Sequence, residues 1–317
     1  MIRRLTKSAV ISACLLVYAA VTSAAGGRTE GMKTMSTANV KTAYDVTVAD
    51  GYAYVSVNEG VAVVDVSRPN RPRQVGAIDT GEMALSVSVR DHIAYVGAGG
   101  GLFIYDVSDP SAARELSRLN VGTAGQICLQ GELAFVSLFR GGMRVVNISD
   151  PSSPLVAGSC ELQGMGGDIT VVGETVLFAL AESGLAIIDV SDPGNPRRVG
   201  TVRGTQGAKD IYRTGDWIFL ACHMYGVKII DVSNPRKPRL VSSLPWTGEA
   251  WGVCGHEDEL WVADLQEGVK LFTIADPENV TRIGEATAYA PHDISWARGY
   301  VFLADQDRGL VILRRSE

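Results

Sequence analysis

Residues 184–200 read GLAIIDVSDPGNPRRVG. A glycine opens an apolar run from Leu185 to Ile188. Asp189, Ser191, Asp192, Pro193 and Pro196 then break it, and a second extended run begins at Arg197. Nothing in the stretch resembles chemistry, but it recurs: GVAVVDVSRPNRP from Gly60, GLFIYDVSDPSAA from Gly101, GMRVVNISDPSSP from Gly142, GVKIIDVSNPRKP from Gly226, GVKLFTIADPENV from Gly268 and GLVILRRSE from Gly309. The spacing is 41 or 42 residues throughout.

Each unit also has an earlier half, such as YDVTVADGYAYV ending at Val55 or KDIYRTGDWIFL ending at Leu220. Two Val-, Ile- and aromatic-rich runs parted by a short Gly- or Asp-containing turn form a hairpin signal. A unit therefore reads as four strands, and seven units of this length predict an all-β fold, a seven-bladed β-propeller of four-stranded blades. The glycine before every third strand suits a turn at positive φ. Ten of the twelve prolines fall between the third and fourth strands, where fixed φ and a missing N–H end one strand and begin an edge. The third strands lack polar alternation, as expected of strands covered on both faces. Asp189 and Ser191 are expected to bond backbone groups of their own turn. The last unit stops after its third strand, and counting back from Asp45 predicts that Met32–Ala38, MKTMSTA, supplies the missing fourth and joins the termini.

The first 25 residues have the layout of a signal peptide: Arg3, Arg4 and Lys7, an apolar run from Ala9 to Val21, then Ser23, Ala24 and Ala25. The run is short for a membrane span, and no later segment is apolar enough for one. Residues 26–317 are then a single exported propeller domain, periplasmic, secreted or on the cell surface. Cys128, Cys160, Cys222 and Cys254 permit two disulfides in three pairings or none, and their spacing matches no zinc or haem signature. A net charge of −6 without clustered Lys and Arg argues against nucleic acid.

The repeated LxIxDVSxPxxP pattern resembles the LVIVD-repeat family of exported bacterial and archaeal proteins, from about residue 40 onward. The resemblance implies a propeller and suggests a cell-surface or adhesive role. Asn147, Thr273 and Arg314 depart from it by replacing the motif Asp.

Loops entering the first strands and loops between second and third strands share one face, here the upper face. Units five to seven bring the richest set there: His223 and Tyr225, Trp246 and Trp251, Asp264, Tyr289 and His292, and Asp305. Tyr225, Trp246, Trp251 and Tyr289 suit stacking on a sugar or clamping a peptide. His223 and His292, with Asp264 and Asp305, are the set that would suit a divalent cation. His92 and His256 sort to the other face. The Asp opening the first strand at positions 45, 168, 210 and 293 recurs with the repeat, so it is read as a structural group bonding neighbouring backbone. No Gly-x-Ser-x-Gly elbow occurs, and GAGGG at 97–101 lacks the Lys-Ser/Thr of a phosphate loop. These features favour a non-catalytic binding scaffold of the cell envelope for a protein or glycan partner, with no cofactor. The alternative is an exported hydrolase or lyase, metal-assisted through the histidines.

Overall fold

The computed structural model describes residues 29–244, 248–287 and 289–316; the leader and Trp246 lie outside the described residues. Each repeat folds as an antiparallel meander. In blade one the strands are Asp45–Ala49, Tyr52–Val57, Gly60–Asp65 and Arg73–Asp79, paired in chain order. Blades two to six repeat this through Thr281–Ala286. Blade seven holds Pro291–Ala297, Tyr300–Asp305 and Gly309–Arg315. The innermost strands touch in sequence around a closed circle, Pro291–Ala297 returning to Asp45–Ala49, so the molecule is the expected seven-bladed propeller.

The core lies between blades rather than within them. Seven clusters of buried apolar side chains each join two neighbouring blades, as where Leu177, Leu185 and Ile187 of blade four meet Ile211, Leu220 and Ile230 of blade five. Covering both faces buries Gly184 to Ile188 without interruption, which is why the opening motif shows no alternation. Each buried Leu or Ile contributes about 1.5–3 kcal/mol, so one blade alone would forfeit most of its stabilisation.

Local chemistry follows the repeat closely. The glycine before every third strand has positive φ, from 69° at Gly226 to 133° at Gly101. At Gly142 a Cβ would also lie 2.0 Å from the Cys160 carbonyl oxygen of the outer strand. The Asp189 carboxylate accepts the Ser191 N–H at 3.0 Å, and Asp65, Asp106 and Asp231 cap their turns in the same way. Asn147 preserves that bond to Ser149, since an amide oxygen accepts as well as a carboxylate. In every outer strand the register skips one residue: Val75, Leu116, Ala157, Val199, Val241, Ile283 and Met35. Such bulges twist an exposed edge away from further pairing.

Met32–Ala38 pairs with Gly309–Arg315 and completes blade seven as expected. The chain also does something the repeat spacing does not announce. Thr29–Glu30 crosses to blade six and adds a fifth strand, Thr29 opposite Ala286 and Glu30 opposite Glu285, with Gly31 at φ +71° between the two short strands. Among the described residues no helix is long and apolar enough to cross a membrane.

Candidate functional site

The innermost strands place one residue of each blade at the same height around the channel: Asp45, Ser86, Gln126, Asp168, Asp210, Gly252 and Asp293. The four carboxylates each accept a backbone N–H from the innermost strand of the next blade. Asp45 takes that of Val87 at 2.9 Å, Asp168 that of Ile211 at 3.2 Å, Asp210 that of Val253 at 2.6 Å and Asp293 that of Val46 at 2.9 Å. The recurring Asp is thus the structural group expected, and its role is specific: it ties blade to blade. Burial raises all four carboxyls, Asp45 and Asp210 to about 6 and Asp168 and Asp293 well above the ordinary range. Channel solvent reaches part of Asp168, Asp210 and Asp293, which moderates the effect.

One residue earlier, at the upper mouth of the channel, the same register holds Tyr44, Leu85, Gly125, Gly167, Lys209, Trp251 and His292. Blades one, seven, six and five make a continuous arc of this position. The Tyr44 and His292 rings lie 5.9 Å apart, His292 and Trp251 5.2 Å apart, and the Lys209 ammonium stands 4.5 Å from the Trp251 ring centre. His223 joins from blade five, 5.6 Å from Trp251, with its Nε2 3.8 Å from a Glu249 oxygen. Burial lowers both His223 and His292, keeping the neutral imidazoles favoured. On the opposite side of the mouth the same position holds Leu85, Gly125 and Gly167, none of them aromatic or charged.

The sequence-predicted residues divide. Tyr225 is 54% exposed and Met224 58%, together forming a knob on the tight turn from His223 to Gly226. Trp251 is wedged between His223 and His292, so the two histidines face a ring and not a shared ion position. Tyr289 is buried, its hydroxyl bonded to Thr34 of the N-terminal strand and its ring covered by the Arg308 guanidinium at 4.8 Å; this makes it a fastener of the closing strand. Asp264 and Asp305 are buried turn caps. Asp305 accepts the N–H groups of Asp307 and Arg308 through Oδ1 and that of Ala290 through Oδ2. Asp264 accepts those of Gln266 and Glu267, its Oδ2 has no partner, and burial raises it to about 6. Among the described residues no three His, Cys, Asp or Glu side chains converge as a metal ion would need. Cys128, Cys160, Cys222 and Cys254 are free thiols.

Sequence reasoning missed Tyr44 and Lys209. The signal was present: both stand immediately before the recurring Asp, in register with Trp251 and His292. On the opposite face a groove of about 420 Å³ lies between blades six and seven, bordered by Trp261, Arg315 and a stacked His256–Trp296 pair with ring centres 3.6 Å apart. It is remote from the channel mouth.

Comparison with solved structures finds the same ring in streptogramin B lyase, with a TM-score of 0.72 at 12% identity over 92% of this chain and 100% of the other. Virginiamycin B lyase from Staphylococcus aureus gives 0.70 at 12% identity, over 90% and 99%. The computationally designed Ika8 protein gives 0.64 at 11% identity, over 86% and 82%. Likeness at this identity is one of fold. No curated protein matches the chain in sequence. The LVIVD repeat profile matches residues 41–80, 81–121, 121–161, 163–203, 207–244 and 291–313, so well over half of the chain carries it and the protein belongs to the LVIVD-repeat family.

Proposed function

We propose that the protein is an exported, non-catalytic scaffold of the cell envelope that recognises a protein or glycan on the upper face of blades five to seven. The observation that carries this reading is the Met224–Tyr225 knob. Two large side chains stand more than half exposed on a turn whose backbone is pinned, beside a half-buried aromatic and cationic arc. Large flexible and aromatic groups presented on a rigid base contribute contact area at small entropic cost, the pattern of binding hot spots. The leader-like first 25 residues support export. A glycan array and cross-linked co-purification from envelope fractions test the proposal: a partner held by the wild type and lost in a Met224→Ala, Tyr225→Ala double variant is the expected result. A partner set unchanged by that variant would remove it.

One observation favours the second reading, a hydrolase or lyase. His223 and His292 stand on the face where the loops converge, and a catalytically inactive histidine-to-alanine variant of virginiamycin B lyase, a protein of the same fold, was solved with quinupristin. Turnover of an envelope polymer or of a streptogramin that disappears in His223→Ala and His292→Ala would establish it. Elemental analysis of the purified protein reports separately on a divalent cation.

A further inference from the structure

Asp168 of blade four and Asp210 of blade five occupy the same position in adjacent innermost strands, and their carboxyls meet on a single donor: Asp168 Oδ2 and Asp210 Oδ1 both accept the Ile211 N–H, at 3.2 and 2.8 Å. Two desolvated carboxylates brought onto one donor repel each other, and a proton kept by one of them removes that repulsion. The surrounding bonds indicate which one carries it. Asp210 accepts the Val253 N–H and the Ile211 N–H, at 2.6 and 2.8 Å, both of which favour its ionised form. Asp168 accepts the Ile211 N–H at the longer distance of 3.2 Å, and although the Ile169 N–H also favours its ionised form, burial and the neighbouring Asp210 charge outweigh both. Other titratable groups face the channel from neighbouring strands. Asp45 and Asp293 face the channel from blades one and seven with carboxyls likewise raised by burial, and Cys128 and Cys254 are thiols held neutral by burial. Gln126 of blade three gives its amide to Asp45. Lys209, one residue before Asp210, directs its ammonium over the Trp251 ring at the mouth.

We propose that Asp168 retains its proton in the folded protein at neutral pH and donates it to the Asp210 carboxylate, forming an acid–carboxylate latch between blades four and five that is strongest in mildly acidic surroundings. No covalent step is involved: one proton is held by the folded ring and released when the ring opens. The direction follows from linkage. A carboxyl that binds its proton more tightly folded than unfolded contributes stability that is complete below the unfolded value and is lost as pH rises through the folded one. Relative to a variant without the titrating group, the wild type therefore loses ground from pH 5 to pH 9. The backbone joins this latch to the channel mouth, because the Asp168 N–H donates to the Lys209 carbonyl at 2.7 Å. The inference does not depend on what the upper face binds.

The test compares melting temperatures of the full chain and Asp168→Asn across pH 5 to 9. The asparagine amide still donates to Asp210 but does not titrate, and the buried histidines, whose effect on stability has the opposite sign, are common to both proteins and cancel. The expected result is a difference that shifts steadily in favour of Asp168→Asn as pH rises. Parallel profiles would overturn the latch. Should the variant fail to fold, infrared spectroscopy of Asp293→Asn, which removes the other strongly raised carboxyl, decides: a protonated-carboxyl C=O band at pH 7 that vanishes on unfolding supports the proposal, and its absence refutes it.

Discussion

Blades four and five and blades six and seven are joined by different means. At the first junction an innermost carboxylate, Asp168, reaches across to the next blade's backbone, and apolar side chains fill the space outside it. At the second the equivalent residue is Gly252, which has nothing to reach with. A Cβ there would lie 3.2 Å from Ile294 and 3.3 Å from the Asp293 backbone, so blade seven approaches too closely for an Asp. The N-terminal segment supplies what is missing. Met32–Ala38 closes blade seven, Thr29–Glu30 pairs with blade six, and buried Met32 packs in the same cluster as Trp261 and Leu313. A ring of near-identical units therefore uses a polar latch at one junction and a strap of N-terminal strands at another.

Deleting residues 29–38 attacks the strap and is expected to have the largest effect. It uncovers the edge of Gly309–Arg315, and thermal melts with size-exclusion chromatography should show a large drop in melting temperature and association of the product. A melt close to wild type would mean that the ring closes without it. Next in size is Trp261→Ala, which empties a side chain 1% exposed at the six–seven junction. Denaturant titration should report a loss of about 3–5 kcal/mol. At the latched junctions, Asp45→Ala orphans the buried Val87 N–H and should cost about 1–3 kcal/mol. That loss should be greater at pH 5 than at pH 8, because the wild type carries its own desolvated charge at the higher pH. An equal loss at both pH values would show that the carboxyl does not titrate in this range. Gly252→Ala asks whether close approach explains the missing latch, and overpacking there should destabilise by about 1–3 kcal/mol. The smallest effect belongs to the Met224→Ala, Tyr225→Ala pair, which should change stability by no more than about 0.5 kcal/mol while abolishing partner capture.

The comparison between Asp264 and Asp305 shows where reading the repeat stops being enough. Both end the second strand of their blade and both cap the turn after it. In blade seven the loop entering the blade brings the Ala290 N–H within 2.9 Å of the second carboxylate oxygen, and among the described residues of blade six no donor does so. Identical repeat positions therefore differ in hydrogen-bond satisfaction because of loops whose lengths and contacts the motif does not encode. Tyr289 makes the same point. As a loop aromatic it suited ligand stacking, yet it is the residue on which the N-terminal strand fastens.

From sequence alone came the number of blades, the four strands of each, the glycine turns at positive φ, the Asx-capped Pro turns and the closing strand Met32–Ala38. These rest on interactions within a few residues or on a period repeated seven times, so the information is local and redundant. Tertiary structure alone decided the fifth strand on blade six, the Tyr44–His292–Trp251–Lys209 arc at the channel mouth and the pairing of Asp168 with Asp210. Each of these joins side chains or strands at least a full repeat apart in the chain, brought together by the curvature of a closed ring. A linear pattern records which residues recur at a position, but which of them touch depends on the geometry of closure.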